Sequence, residues 1–397
     1  MNQSPTSWWR IWVAFLAGCV GAFQVGKVAA ALSTIIDNLG LSLIEAGWIV
    51  SLFSVVGGLV AMGFGLLSDR IGHVRAALVG LSLSAIGAFW GAMADNLATL
   101  LIARMLEGLG FFMAVVALPS LISGTANDRD RPLAMGLWGA FMPAGIGVSL
   151  LISPGLIALH GWRGLWVDIG VILLVFCALL LLAFQGRSAH EGLHFSRQEI
   201  IASVIRTGPL LIFSGFVCYS SLYVAVTAFF PTMLNITSEV GSANAAYLGA
   251  LVALGNIGGN LAAGALIGRG VAPARLLKIS FIVMGVCATL VFLSPLSPLL
   301  KTFAGIVFST IGGLYPGTAF VLASRYAIRP SHMALFAGLL LQGAAIGQVL
   351  GPLMTSALVE HGGRWDWAGI GTAGMACIGL LCAVMLSRST ARSAAQP

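Results

Sequence analysis

The chain has 397 residues, 58% of them hydrophobic and 8% charged, whereas a soluble globular domain carries roughly a quarter charged residues. That composition excludes an ordinary soluble protein and indicates an integral membrane protein, in which the 51 glycines serve at close helix contacts. The formal charge of +7 is scattered singly between apolar runs, so no basic face for nucleic acid is indicated.

A bilayer core takes roughly 20 apolar residues per helix, and polar, Gly- and Pro-containing joints divide the chain into twelve such runs. The first, 9 to 36, is longer than the apolar region of a cleaved signal segment and reads as a retained helix. It carries Gln24 and Lys27 in the stretch A-F-Q-V-G-K-V-A-A-A-L. Runs 43 to 67, 74 to 94, 98 to 121, 132 to 159 and 164 to 186 complete a first half. Residues 187 to 207 are the only long polar insert. Runs 208 to 234, 243 to 267, 275 to 294, 298 to 324, 332 to 359 and 366 to 387 form the second half. The expected units are therefore 1–186, a linker over 187–207, and 208–397. Cys19, Cys177, Cys218, Cys287, Cys377 and Cys382 lie in apolar segments without C-x-x-C spacing, so they read as core packing rather than disulfides or a zinc site. No metal and no cofactor are expected.

Placing the N-terminus in the cytoplasm puts 15 of the 20 Lys and Arg on that side, with only Arg163, Lys301 and Arg364 outside. This positive-inside bias makes both termini and the linker cytoplasmic and the protein a multi-pass one of the cytoplasmic (inner) membrane. Lys27 and Arg104 belong to neither face and lie within the membrane. The halves also echo one another: H-G-W-R-G-L-W at 160 to 166 recurs as H-G-G-R-W-D-W at 361 to 367, an offset of 201. Combined with six runs on each side of the linker, the match argues for duplication.

The loop after the second run reads G-L-L-S-D-R-I-G-H-V-R, Gly65 to Arg75. Its glycines let helix and loop pass close to a neighbour, while Asp69 and the arginines can pair across an interface and release when it opens. A plain positive-inside loop explains the arginines but not the Gly, Asp and Gly spacing. The segment resembles the signature loop of the major facilitator superfamily, G-x-L-a-D-R-x-G-r-k/r, at Gly65, Leu67, Asp69, Arg70, Gly72 and Arg75, with His73 where a basic residue is usual. L-L-I-A-R-M-L-E-G-L-G in run four is similar to the family's R-x-x-q-G pattern, with Arg104 and Gly108 in place and Glu107 where Gln is common. The Gly/Pro-rich stretch from Gly136 to Gly155 resembles the fifth-helix motif associated mainly with antiporters. The second-half loop, G-A-L-I-G-R-G from Gly264, keeps Arg269 but has Gly268 where Asp would stand. Within the superfamily the chain resembles transporters grouped with cyanate permeases, a heterogeneous set that does not carry cyanate over as substrate.

The resemblance implies an all-α membrane protein, twelve transmembrane helices in two pseudo-symmetric six-helix bundles, acting as a monomer. It places helices one, four, seven and ten around a central cavity. A charge at a helix centre costs about 2.5–3.5 kcal/mol on insertion scales, so Lys27, Arg104 and Glu107, at nearly one depth, are expected to form one polar cluster there. Arg104 and Glu107 are three apart and can meet on one helix face. One positive charge is then left over, which favours an anionic ligand or a titrating group for coupling; Glu107 is an equal candidate for the proton carrier, and a purely structural ion cluster is the alternative to both. Gln24 shares the face of Lys27. In the second half Tyr219, Tyr223, Asn256, Tyr315 and Gln342 are candidate cavity groups or helix-to-helix hydrogen-bonding groups. Trp138 and Phe141 can wall the site, and Asp168, near the outer interface, reads as snorkelling or ion-paired. Gly65, Asp69, Arg70, Gly72 and Arg75 are the expected conformational gate.

The function these features imply is secondary active transport of a small organic, anionic solute by alternating access with proton coupling. A proton-antiport exporter of a drug, siderophore or metabolite is the alternative, and a non-transporting membrane sensor a more distant one. No G-x-x-x-x-G-K-[ST] loop argues for ATP drive. Every one of the six histidines maps to a loop or helix end, so no enzyme is expected.

Overall fold

The computed structural model describes residues 5–127, 129–185, 207–326 and 332–394, and those residues are helical nearly throughout. The helices are α1 (Trp8–Leu39), α2 (Leu43–Ile71), α3 (His73–Ala92), α4 (Leu97–Thr125), α5 (Arg131–Gly139), α6 (Phe141–Ala183), α7 (Thr207–Thr237), α8 (Ser242–Gly268), α9 (Pro273–Phe292), α10 (Pro298–Gly312), α11 (Leu314–Tyr326), α12 (His332–Gly362) and α13 (Asp366–Ala394). The expected linker 187–207 lies outside the described residues except for Thr207.

Ten spans among the described helices are long and apolar enough to cross a membrane. The longest, α6, has 43 residues, about 65 Å at 1.5 Å per residue and therefore roughly twice a bilayer core. It is two passes folded at Gly161, whose φ of 69° is open to glycine at no steric cost. The first part runs alongside α1, Gly18 lying against Phe141 and Gly26 against Ser149. The second runs against α3 in the opposite sense, Gly91 meeting Trp166 and Gly170 meeting Phe89. Because tight turns at Gly40 and Gly72 reverse the chain twice, α3 points the same way as α1, and the parts of α6 are antiparallel.

Two expected runs are broken by the structure. Run 132 to 159 is interrupted at Ala140, between α5 and α6, and run 298 to 324 at Gly313, between α10 and α11. Each break falls three residues before a proline, Pro143 and Pro316, whose missing N–H and ring interrupt the helix just upstream; at Gly313 the backbone also lies against Asn256 and Asn260 of α8. The repeated H-G-x-R-x-x-W also shifts register. Its left-handed glycines are Gly161 and Gly363, not Gly161 and Gly362, and the buried tryptophan of the second copy is Trp365, whereas Trp367 is exposed. Both copies nevertheless form the turn between two antiparallel spans.

All six cysteines are free; Cys19, Cys218 and Cys287 are buried, but Cys377 is exposed on α13 and Cys177 and Cys382 are half-buried. The core-packing expectation is corrected for Cys377, which lies on the exposed apolar surface, whereas Cys177 packs against α3 with Sγ 3.5 Å from Ser82 Oγ. Exposed Trp9 and Trp12 at the end bearing the N-terminus, and Trp48, Trp90 and Trp367 at the other end, form the two aromatic belts of a spanning protein.

The halves meet chiefly along α2 and α12. Ile44 N donates to Glu360 Oε2 at 2.7 Å, Ser51 Oγ to Val349 O at 3.0 Å, Ser54 Oγ to Gln348 Oε1 at 2.6 Å, and Gln342 Nε2 to Gly58 O at 2.9 Å. Among the described residues these hydrogen bonds between halves run from the end opposite the termini to the middle of α2. The start of α2 is doubly capped: Ser42 and Glu45 exchange hydrogen bonds in a capping box, and Glu360 takes a further free N–H.

Candidate functional site

The apolar interior of the first half contains one ion cluster. Lys27 Nζ on α1 donates to Glu107 Oε1 on α4 at 2.6 Å, and Arg104 Nη1, one turn before Glu107, donates to Glu107 Oε2. The guanidinium is held further by two carbonyls, Nε donating to Ile49 O and Nη1 to Gln24 O, each at 3.0 Å. Gln24 Nε2 donates to Ser84 O at 3.2 Å, and Ser84 Oγ to Glu107 O at 3.0 Å. Lys27 Nζ stands 4.4 Å from the ring centre of Trp166, and Arg104 Cζ 4.6 Å from that of Phe53, positions in which the negative ring faces attract the cations.

The structure therefore brings together Gln24, Lys27, Arg104 and Glu107, but it does not leave them on an open cavity. Lys27, Gln24 and Glu107 have 0% exposure and Arg104 1%. Closure comes from α3 and the second part of α6: a Cβ on Gly87 would strike Glu107, and one on Gly91 would strike the Trp166 indole. These glycines draw α3 onto α4 and α6 over the cluster, and α2 closes it from the side of Ile49 and Phe53. Two cations against one carboxylate leave a net charge of +1 in a medium of low dielectric, where charge acts over a longer range than in water. Gln24 Oε1 and Trp166 Nε1 are buried there without a hydrogen-bond partner among the described residues.

A second polar group lies in the other half. Tyr219 of α7 stacks between Tyr223 (ring centres 5.9 Å apart, 19° between planes) and Tyr315 of α11 (5.4 Å, 12°). Asn256 Nδ2 on α8 donates to Tyr219 Oη at 3.1 Å and to Ser309 O at 3.0 Å, while Asn260 Nδ2 donates to Asn256 Oδ1 at 2.7 Å. Tyr315 Oη donates to Ile212 O at 3.0 Å. Tyr219, Tyr223, Asn256 and Tyr315 thus come together, whereas Gln342 stands apart, bound to Gly58 across the halves. Trp138 stacks on Phe141 with ring centres 4.2 Å apart and packs on Gly18 of α1.

At the expected gate, Gly72 has φ 91°, a conformation essentially reserved for glycine, and it joins α2 directly to α3. Ser68 Oγ and His73 Nδ1 are 2.8 Å apart across this turn. Arg70 and Arg75 are exposed, and Gly65 lies 3.8 Å from Val116 of α4 when given a Cβ. The Asp69 side chain lies outside the described residues. Asp168 is hydrogen-bonded, its Oδ2 2.9 Å from His160 Nδ1.

Sequence reasoning missed Trp166 and Ser84 as neighbours of the cluster and Glu360 as a cap across the halves. Trp166 was visible only as a repeat residue; nothing local marks Ser84 or Glu360.

With this geometry in hand, likeness to known proteins decides the family: residues 14–341 match the profile of the Major Facilitator Superfamily. The chain belongs to that superfamily. It is 27% identical over 172 residues to the galactose-proton symporter of Escherichia coli (strain K12), covering 43% of this chain and 36% of that protein. It is 26% identical over 170 residues to the riboflavin transporter RibZ of Clostridioides difficile (strain 630), 41% of this chain and 37% of RibZ. Over 188 residues it is 24% identical to the quinolone resistance protein NorB of Staphylococcus aureus (strain MSSA476), 47% of this chain and 40% of NorB. The matched stretches thus span well under half the length of these relatives. The crystal structure of a bacterial homolog to the human lysosomal transporter Spinster, in an inward-facing and occupied conformation, superposes with a TM-score of 0.77 at 16% identity, covering 98% of this chain and 96% of that one. That likeness establishes the major facilitator fold.

Proposed function

We propose that this major facilitator protein is a secondary active transporter that moves a small organic anion across the cytoplasmic membrane, coupled to protons, by rocking two six-helix bundles, residues 1–186 and 208–397, about a midplane site. It acts as a monomer, with both termini and the linker 187–207 in the cytoplasm. In that orientation the described α2–α12 hydrogen bonds run from the outer side to the middle of α2.

The observation that carries this reading is the buried cluster of Lys27, Arg104 and Glu107 with its surplus positive charge. At about 10 Å and an effective dielectric of about 20, one unit charge favours an anion by about 1.7 kcal/mol, or roughly 20-fold in affinity. An anion therefore senses the cluster from the space between the bundles without touching it. The likeness to the subgroup grouped with cyanate permeases supports an anionic cargo in general. The galactose-proton symporter among the relatives supports proton coupling. The site residues in this scheme are Gln24, Lys27, Arg104 and Glu107 for charge and coupling, Trp138, Tyr219, Tyr223, Asn256, Tyr315 and Gln342 for the cargo and its walls, and the Gly65–Arg75 loop for the gate.

A second reading, proton-antiport export of a drug or metabolite, is favoured by the stacked Tyr219, Tyr223 and Tyr315, which suit a planar ring, and by the Gly/Pro-rich start of α6. Purified protein in liposomes separates the two. With an inward proton gradient, a panel of small organic anions is expected to include at least one that accumulates and is released by a protonophore. Movement of cationic dyes alone, outward against an opposing proton flux, would replace the anion reading with the exporter; no proton-dependent movement of any solute would remove both.

A further inference from the structure

A proton-coupled cycle needs a group that gains and loses a proton out of reach of bulk solvent on both sides at once. Among the described residues Glu107 is the only buried acid, and no described histidine is buried. Of the buried bases, Arg104 does not release its proton in proteins, and Lys301 sits at the start of α10, far from the middle of the bundle. The choice falls between Glu107 and Lys27, which share one hydrogen bond.

Geometry separates them. Both oxygens of Glu107 are engaged by cations, Oε1 by Lys27 and Oε2 by Arg104, and Arg104 is fixed by two carbonyls as well. Arg104 and Glu107 thus form a closed, neutral pair. Adding a proton to Glu107 would break it and raise the net charge of the sealed cluster from +1 to +2. Releasing one from Lys27 lowers that charge from +1 to zero and leaves the pair intact. Lys27 is also the loosely held member: Nζ has three donors, of which one is bonded to Glu107, while the Trp166 face lies over it. The groups facing it are Glu107 and Arg104 from α4; no other charged side chain acts on it from α2, α3 or α6 among the described residues.

We propose that Lys27 is the proton carrier of the transport cycle. This rests on the reading of the chain as a proton-coupled anion transporter. In the loaded state Lys27 is an ammonium and the cluster carries +1, which holds the anion in the space between the bundles. When the anion leaves, one N–H bond of Nζ breaks, its proton passes to a water molecule and on to bulk, and the electron pair stays on nitrogen. One of the two remaining N–H groups keeps the hydrogen bond to Glu107 Oε1. Glu107 acts as the positioning residue that keeps Nζ at the cluster in both states.

The test is Lys27→Arg, which keeps a cation that cannot deprotonate, beside Lys27→Gln, which removes the charge, with folding checked by size-exclusion profile. The probe is whichever anion wild-type liposomes accumulate. Wild type is expected to take up about one proton per anion bound, read with a pH indicator in weak buffer. Lys27→Gln is expected to take up none and to bind the anion roughly 20-fold more weakly. Lys27→Arg is expected to lose accumulation driven by the proton gradient while anion exchange between the two sides falls but stays measurable. Proton-driven accumulation by Lys27→Arg, or unchanged proton uptake by Lys27→Gln, overturns the proposal, and so does equal loss of exchange and accumulation in a folded Lys27→Arg. If neither variant folds, Lys27→Met, which leaves the Arg104–Glu107 pair intact, takes their place: proton uptake lost on anion binding supports Lys27, and unchanged uptake overturns the proposal. Wild type that moves no anion instead removes the broader transport reading, an outcome visible before any variant is made.

Discussion

Glu107→Gln should be among the most damaging single changes in the chain, and Lys27→Met, at the other end of the same hydrogen bond, among the milder ones in the interior. Removing the carboxylate leaves Lys27 and Arg104 as two sealed cations with no counter-charge, since both donate to Glu107. Breaking a buried ion pair by deleting one partner costs about 3–5 kcal/mol, which for a protein of this size lowers the melting temperature by roughly 10 °C. Removing the lysine leaves the neutral Arg104–Glu107 pair and a methionine of similar length against Trp166, so the loss should stay within about 1 kcal/mol. The double variant Lys27→Met/Glu107→Gln should be more stable than Glu107→Gln alone, because the second cation that lacks a counter-charge is gone. Thermal unfolding of the detergent-purified variants, followed by intrinsic tryptophan fluorescence, checks the order. Equal losses for Lys27→Met and Glu107→Gln, or no gain in the double variant, would refute the electrostatic account of the cluster.

Further tests follow from the packing. Gly108→Ala puts a Cβ into the Phe53 backbone of α2 and should lower the melting temperature and yield clearly below those of Gly63→Ala, an interior position of α2 with open space beside it. Gly72→Ala, at φ 91°, should cost about 1–3 kcal/mol through backbone strain alone, visible in the same unfolding assay. Glu360→Gln weakens the charged acceptor at the start of α2 by about 1 kcal/mol. In a background with the exposed Cys377 changed to Ser, a cysteine at Ser356, which faces Gly47 across the halves, should then react with a maleimide roughly five times faster; an unchanged rate would mean that Glu360 does not hold that end shut.

How far the sequence carried the fold depends on which coordinate is asked for. Apolar run length reports position along the membrane normal, so spans such as 43–67 and 243–267 coincide with α2 and α8 within a few residues. Breaks inside an apolar run are marked only by proline: Ala140 and Gly313 each stand three residues before one, Pro143 and Pro316, whose missing N–H and ring interrupt the helix just upstream, although hydropathy alone reads both runs as continuous. The shifted repeat has a different origin. A pattern of H, G, R and W marks an interface turn, but whether Gly362 or Gly363 takes the left-handed conformation is set by which tryptophan, Trp365 or Trp367, finds the core. Rotation about the helix axis is the coordinate least legible. In water a helix shows its buried side by being apolar there, but in lipid both sides are apolar, and α1, buried over most of its length, gives no contrast between faces.

The charged residues escape that ambiguity, because their cost in hydrocarbon forces them toward a partner wherever they are. Equal depth for Lys27, Arg104 and Glu107 was enough to expect one cluster. Depth does not tell which wall of α1 and α4 the cluster occupies, and the expectation of an open cavity came from the family arrangement rather than from these residues. The deciding features are small: Gly87 and Gly91 admit α3 and Trp166 so closely that the cluster is sealed inside the first bundle. A sealed charge cannot recognise a cargo by contact, and it responds to one only through its field and its proton count. On the proposed transport reading, chemistry at this site is therefore expected to appear as coupling.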